Sequence, residues 1–328
     1  MKTILSIAAA CALLVLGFGC AREDGDAPSP GDLSRSDDSA QFGDSRLLGN
    51  SARLGNSGRG GNSSRFGDSP RLLAFVGAAS KPAAEEAAQL YERQTGVKVE
   101  LVFGGSGYVL SQMKLTREGD LYFPGSSDYM EIAKRDGLVF ADSERVLVYL
   151  VPAINVQKGN PRNIGELRDL ARPGMRVAIA NPQGVCVGTY AVEIIERDFS
   201  PEEKAAFRGN LLNYTESCEK TATAISLKMA DAVIGWRVFE HWDPARIETV
   251  PLAKEQIARV GYIPIAISTF TKDRAAAGRF IDFLAGPEGR RVFAKYHYFA
   301  SAEEAFQWIG EQKPVGGEYT VPKEWIPE

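Results

Sequence analysis

Histidine is nearly absent: the 328-residue chain has two. His241 and His297 each sit beside aromatic residues and far from any carboxylate pair or nucleophile. They read as surface or core residues, not as acid–base catalysts. Cysteine is also scarce, with four, and no Cys-x-x-Cys pair or other cluster has metal-ligand spacing. No glycine-rich loop carries the Lys and Ser/Thr that a nucleotide phosphate loop adds. The formal charge of −4 offers no basic surplus for nucleic acid. With no catalytic set in view, the chain reads as a binder and not an enzyme, with no cofactor and no nucleic-acid partner.

What is present begins with a hydrophobic content of 44% and a charged content of 24%, the balance of a soluble globular protein. The length accommodates two domains of ordinary size. At the amino terminus Lys2 precedes an apolar run from Ile4 to Phe18, too short to span a bilayer comfortably, and then small residues around Gly19-Cys20-Ala21. Residues 1–20 are therefore read as a secretory signal. Cys20 stands where a bacterial lipoprotein signal places its lipid-carrying cysteine, although Gly17 occupies the position usually held by an aliphatic residue. Cleavage after Ala21 is the alternative. Cys11 leaves with the signal, so Cys186 and Cys218 remain in an exported protein, where a disulfide between them would persist. Two buried free thiols are the other reading.

Residues 21–70 have few large apolar side chains. Gly43-Asp44-Ser45, Gly49-Asn50-Ser51, Gly55-Asn56-Ser57, Gly61-Asn62-Ser63 and Gly67-Asp68-Ser69 recur at a six-residue period. One apolar residue per hexad cannot close a β-helix core in so few turns, so the segment reads as a flexible spacer.

The folded part begins at about residue 71. Val97, Val99, Leu101 and Phe103 alternate as in a strand, Gly104-Gly105-Ser106-Gly107 follows, and Tyr108 to Leu115 reads as a helix. A strand, a glycine-serine turn and a helix start leave unpaired backbone N–H groups and a hydroxyl facing whatever lies above the turn, a geometry suited to an anion. A second such unit precedes it: strand Leu72–Val76, then Gly77-Ala78-Ala79-Ser80, then a helix from Pro82 to Gln94. A third runs from Leu121–Phe123 through Pro124-Gly125-Ser126-Ser127 into a helix over 128–136. Successive units of this kind predict a parallel α/β sheet with ligands at the carboxyl ends of the strands.

Val146 to Val156 is apolar over too great a length for one buried strand and is read as crossing from one lobe to another. Ile257 to Thr269 is read as the return. Between them lie helices at Ile164–Leu170, Thr189–Arg197 and Glu216–Met229 and strands at Met175–Ala180 and Ala232–Trp236, with a capping box at Ser200-Pro201-Glu202-Glu203. Two crossings predict hinged α/β domains around a cleft: lobe 1 as residues 71–152 and 263–328, lobe 2 as 153–262. After Tyr298 the pattern is hard to read, and Trp308 and Trp325 are read as packing on a surface.

Several segments in order carry a resemblance: Ala78-Ala79-Ser80, Thr95-Gly96-Val97, Phe103-Gly104-Gly105-Ser106-Gly107, Asn181-Pro182 with Gly188 and Tyr190, Ala230-Asp231-Ala232 with Ile234, and Phe280-Ile281-Asp282-Phe283-Leu284 with Pro287-Glu288-Gly289. From Leu72 to about Phe299 the chain resembles the periplasmic molybdate- and tungstate-binding proteins of ABC importers. That resemblance implies a two-lobed type II periplasmic binding protein fold, a monomer, an oxyanion ligand and a membrane permease as partner. It also implies a location in the periplasm or at the cell surface, tethered through Cys20. By the family's pattern, the ligand hydroxyls are those of Ser80 and Ser106, and backbone donors fall at Val187 and Cys218. Trp236 stands where the family has a tyrosine and can offer only its indole N–H. Val185 stands where some archaeal relatives place a metal-completing carboxylate, so a tetrahedral anion is expected.

Molybdate and tungstate have only acceptor oxygens at neutral pH, so a cage of donors satisfies them, whereas the proton of hydrogen phosphate would find no acceptor. An unpaired buried polar group costs about 1–3 kcal/mol. Sulfate, phosphate, an exported redox or sensor protein using Cys186 and Cys218, and a sensory lipoprotein without a permease remain as alternatives.

Overall fold

The structure is a computed structural model that describes residues 70–327. The expected signal, Cys20 and nearly all of the hexad spacer lie outside the described residues, which all fall in one compact unit.

The elements run in order as β1 (Arg71–Gly77), α1 (Lys81–Thr95), β2 (Lys98–Gly104), α2 (Ser106–Thr116), β3 (Leu121–Phe123) and α3 (Ser127–Arg135). Then come β4 (Arg145–Leu150), β5 (Pro152–Gln157), β6 (Val177–Ala180), α4 (Cys186–Asp198), α5 (Pro201–Asn210), β7 (Leu211–Thr215), α6 (Cys218–Ser226), β8 (Ala232–Trp236) and α7 (Phe239–Trp242). The chain closes with β9 (Ile247–Val250), β10 (Gly261–Ile267), α8 (Arg274–Ala285), α9 (Pro287–Lys295) and α10 (Ala302–Ile309). The local causes are plain in α1. Pro82 lies in its first turn, Ala84, Ala87, Ala88 and Tyr91 form its buried stripe, and Gly96 takes φ 72° to end it. The box ahead of α5 forms as expected: Glu203 N–H donates to Ser200 Oγ at 3.2 Å and Ser200 N–H to Glu203 Oε2 at 2.8 Å.

Two five-stranded sheets result, in the orders β2-β1-β3-β10-β4 and β7-β6-β8-β5-β9. β1 runs parallel to β2 and β3, and β6 parallel to β7 and β8, while β10 and β5 run antiparallel to their neighbours. The parallel strands deliver the starts of α1, α2, α3, α4 and α6. The long apolar run does change sheets: β4 belongs to the first and β5 to the second, with only Val151 between them. Every residue of β5 is buried, so hydrophobicity alone could not mark the break. The return runs past Val260, packed in the second core, into β10 of the first sheet.

Several expectations are corrected. The helix expected at Ile164–Leu170 is a short 3-10 turn at Leu167–Ala171, and β7 and β9 were not anticipated. Trp325 is not a surface residue. It is 0% exposed in the second core together with Ala305, so the carboxyl-terminal stretch assigned wholly to lobe 1 packs in large part on lobe 2. It gets there by pairing Val315 with Val260 beside β10. On the way it touches α3 of the first lobe: Ser127 Oγ donates to Gly317 O at 2.9 Å, Tyr319 N–H donates to Asp128 Oδ1 at 3.2 Å, and Arg135 pairs with Glu318 at 2.6 Å. The tail is therefore tied to both lobes.

Candidate functional site

The lobes meet across the cleft through the helix starts. Gly107 N–H donates to Gly184 O at 2.9 Å, Asn181 Nδ2 donates to Tyr108 Oη at 2.8 Å, and Tyr129 Oη donates to Pro182 O at 3.4 Å. A Cβ on Gly105 would lie 2.6 Å from Gly184 O and 2.9 Å from Glu216 O, so only glycine allows this approach.

Ser80 and Ser106 stand at the starts of α1 and α2 and are 0% and 1% exposed. Neither hydroxyl caps its helix. Ser80 Oγ donates to Gly77 O over a long 3.3 Å, and Ser106 Oγ accepts from Gly125 N–H at 3.0 Å, which leaves the Ser106 proton free to donate. A Cβ on Gly77 would lie 2.7 Å from Ser106 Oγ, which places the two serine turns side by side. Gly125 is the residue that sequence reasoning missed. The only signal was the small-residue turn after β3.

From the second lobe, Cys186 and Cys218 are the first residues of α4 and α6. A Cβ on Gly125 would be 2.6 Å from Cys186 Sγ, 2.7 Å from the Ala79 Cβ and 3.5 Å from Ser106 Oγ, so this thiol rests against the serine side of the cleft. Cys186 Sγ and Cys218 Sγ are 3.7 Å apart, two free thiols in contact and not bonded. Val187, in the first turn of α4, is fully buried, and so is Trp236 at the end of β8. The structure thus brings Ser80, Ser106, Val187, Cys218 and Trp236 to one sealed place.

The electrostatics there are dipolar. Helix starts supply partial positive charge, worth about 0.3–1 kcal/mol each toward an anion. The nearby lysines are engaged elsewhere: Lys81 pairs with Glu85 at 3.4 Å and with Glu219 across the cleft at 3.5 Å, and Lys220 pairs with Glu216. Burial pushes the Cys218 thiol well above its ordinary pKa, and Cys186 adds to this, while Trp236 and the Val187 N–H act in the opposite sense. Tyr190 Oη and Ser126 Oγ are buried without a hydrogen-bond partner, and the Trp236 indole N–H meets only the Cys218 sulfur. Tyr190 stacks edge-on against Trp236 with ring centroids 4.8 Å apart, so its hydroxyl borders the same place. Buried polar groups without partners ask for a ligand or water. Just outside, a pocket of about 260 Å³ is lined by Ala78, Gly104, Gly105, Ser217 and Lys220 and gives the mouth of the cleft. A larger groove of about 350 Å³ along α1, α6 and α7 contains none of the expected ligand residues. Among the described residues no group of three or more His, Cys, Asp or Glu could hold a metal ion.

Residues 72–299 match the model of the bacterial extracellular solute-binding protein family. The chain belongs to that family. This solute-binding protein is 22% identical over 231 residues to the molybdate-binding protein ModA of Rhodobacter capsulatus, covering 69% of this chain and 87% of ModA. Its fold matches the periplasmic molybdate-binding protein of Azotobacter vinelandii at a TM-score of 0.61 and 17% identity, over 70% of this chain and 99% of the other. It matches the sulfate-binding protein SubI of Mycobacterium tuberculosis at 0.62 and 15%, over 75% and 94%. The two α/β lobes have the fold of a type II periplasmic binding protein.

Proposed function

We propose that this protein captures a tetrahedral oxyanion, molybdate or tungstate, outside the cytoplasm and delivers it to the permease of an ABC importer. One observation carries the reading. Two buried serine hydroxyls at helix starts in the first lobe, neither capping its own helix, face two buried helix starts in the second. Ser80, Ser106, the amides at Val187 and Cys218, and the Trp236 indole are the donors, and the Gly125 amide holds the Ser106 oxygen so that its proton points to the ligand. The protein acts as a binder; closing the lobes is its work. Tethering through Cys20 would keep it near its permease, and the hexad spacer would give it reach.

The relatedness to ModA supports molybdate. The likeness to SubI is one of fold, and it keeps sulfate as a second ligand to be tested. A cage of donors rejects hydrogen phosphate through its unpaired proton, by roughly tenfold to hundredfold; between sulfate and the larger anions only size can choose. Calorimetric titration of the purified protein with molybdate, tungstate, sulfate and phosphate tests this. Heat with the first two and weak or no heat with phosphate is expected. Tight binding of phosphate or of an uncharged sugar, with no response to molybdate or tungstate, overturns the assignment.

A further inference from the structure

The two thiols stand where an anion should. Cys186 Sγ lies against Gly125 and the Ser106 side of the first lobe, and Cys218 Sγ is 3.7 Å behind it. The Trp236 indole and the Val187 amide, two donors assigned to the ligand, both act on Cys218. The sulfurs come from the first residues of two helices of one lobe, so bonding them needs no lobe movement. An exported protein also meets oxidants that a cytosolic one does not.

We propose that Cys186 and Cys218 are a reversible dithiol–disulfide pair set in the ligand seat, and that their oxidation opens the seat to the anion. The proposal rests on reading the cleft as an oxyanion site. Forming the bond draws the sulfurs from 3.7 Å to about 2.05 Å, which takes sulfur volume out of the seat. It also ties the starts of α4 and α6 together, so the second lobe presents its amides already arranged.

The oxidant is a disulfide, R–S–S–R, small or protein-borne. One cysteine thiolate attacks a sulfur of R–S–S–R and expels R–S⁻, which takes up the proton that cysteine gave up. The second cysteine, deprotonated in turn, attacks the mixed disulfide and expels the other R–S⁻, which is also protonated. Two electrons and two protons leave the pair and appear on two R–SH. Both thiols are 1% exposed with the lobes together, so exchange takes place when the lobes are apart.

The test equilibrates the purified protein with glutathione disulfide or with a reducing phosphine and counts free thiols after denaturation. Each form, together with Cys186→Ser, is then titrated with molybdate, tungstate, sulfate and phosphate. Loss of two thiols on oxidation, at least tenfold tighter binding by the oxidised form, and a Cys186→Ser variant whose affinity ignores the redox state are expected. Equal affinity in both forms, or thiols that do not oxidise, overturns the gate and leaves the oxyanion assignment standing. Binding of none of the four anions by either form overturns both.

Discussion

Arg259 Nη2 lies 2.9 Å from Asp128 Oδ1, and the two side chains, 6% and 8% exposed, join the lobes beside the crossing strands. Asp128 sits on α3 of the first lobe. Arg259 sits in the return segment and also donates through Nε to Glu193 of α4 at 2.8 Å and through Nη1 to Gly317 O of the tail at 2.8 Å. Its guanidinium covers the Tyr190 ring at 4.0 Å. Removing Asp128 leaves Arg259 still paired with Glu193, whereas removing Arg259 leaves the buried Asp128 carboxylate uncompensated.

Arg259→Met should therefore destabilise the protein by about 3–5 kcal/mol, read by urea denaturation. The cleft pair Lys81–Glu219 is partly exposed. Glu219→Gln should change stability by about 1 kcal/mol or less. Equal losses in the two variants would mean that burial does not set the cost.

The tail is a structural part of the second lobe. Trp325 packs on Phe207 with centroids 6.2 Å apart, under the Arg208 guanidinium at 4.2 Å, and donates to Glu196 Oε1 at 2.6 Å. Trp325→Ala should cost about 3–5 kcal/mol in thermal or chemical unfolding. A loss below about 1 kcal/mol would show that the tail adds nothing to the core.

Gly125→Ala tests lobe closure. The new methyl would collide with Cys186 of the opposite lobe and Ala79 of its own. Anion affinity should fall more than tenfold, with a stability loss of about 1–3 kcal/mol from overpacking. Unchanged affinity would place the ligand elsewhere.

His241 of α7, in the second lobe, stacks on His297, which follows α9 in the first, at 3.8 Å between ring centroids. Burial lowers the His241 pKa below its ordinary value, the charges of His297 and Arg237 lower it further, and Glu240 opposes them. The unfolded chain therefore takes up this proton first. Stability is intact above about pH 6.5 and falls as the pH drops from there toward the lowered folded value. Thermal melts from pH 7.5 to 5 should show this slope, and His241→Gln should flatten it. An identical slope in the variant would remove His241 as its source.

Much of this was readable in the chain because its signals are local. Ser80 and Ser106 stood out through repeated strand, small-residue, serine and helix patterns, and β3 and β8 have the bounds their apolar runs suggested. The thiol contact was not readable, since residues 32 apart meet only when two helix starts converge. Nor was the tail: α10 is one short helix and Trp325 sits in a 3-10 turn, both held by distant partners and not by their own periodicity. β4 and β5 merged because every residue of β5 is buried and β4 stays apolar even where it is exposed, at Val146.

The most direct measurement is a crystal structure of the oxidised protein with tungstate, located by the anomalous scattering of tungsten. One tungsten site within hydrogen-bond reach of Ser80, Ser106 and the amides of Val187 and Cys218 is predicted, lost in the Ser80→Ala/Ser106→Ala variant. Tungsten bound only on the outer surface, or at the same place in that variant, would contradict the account.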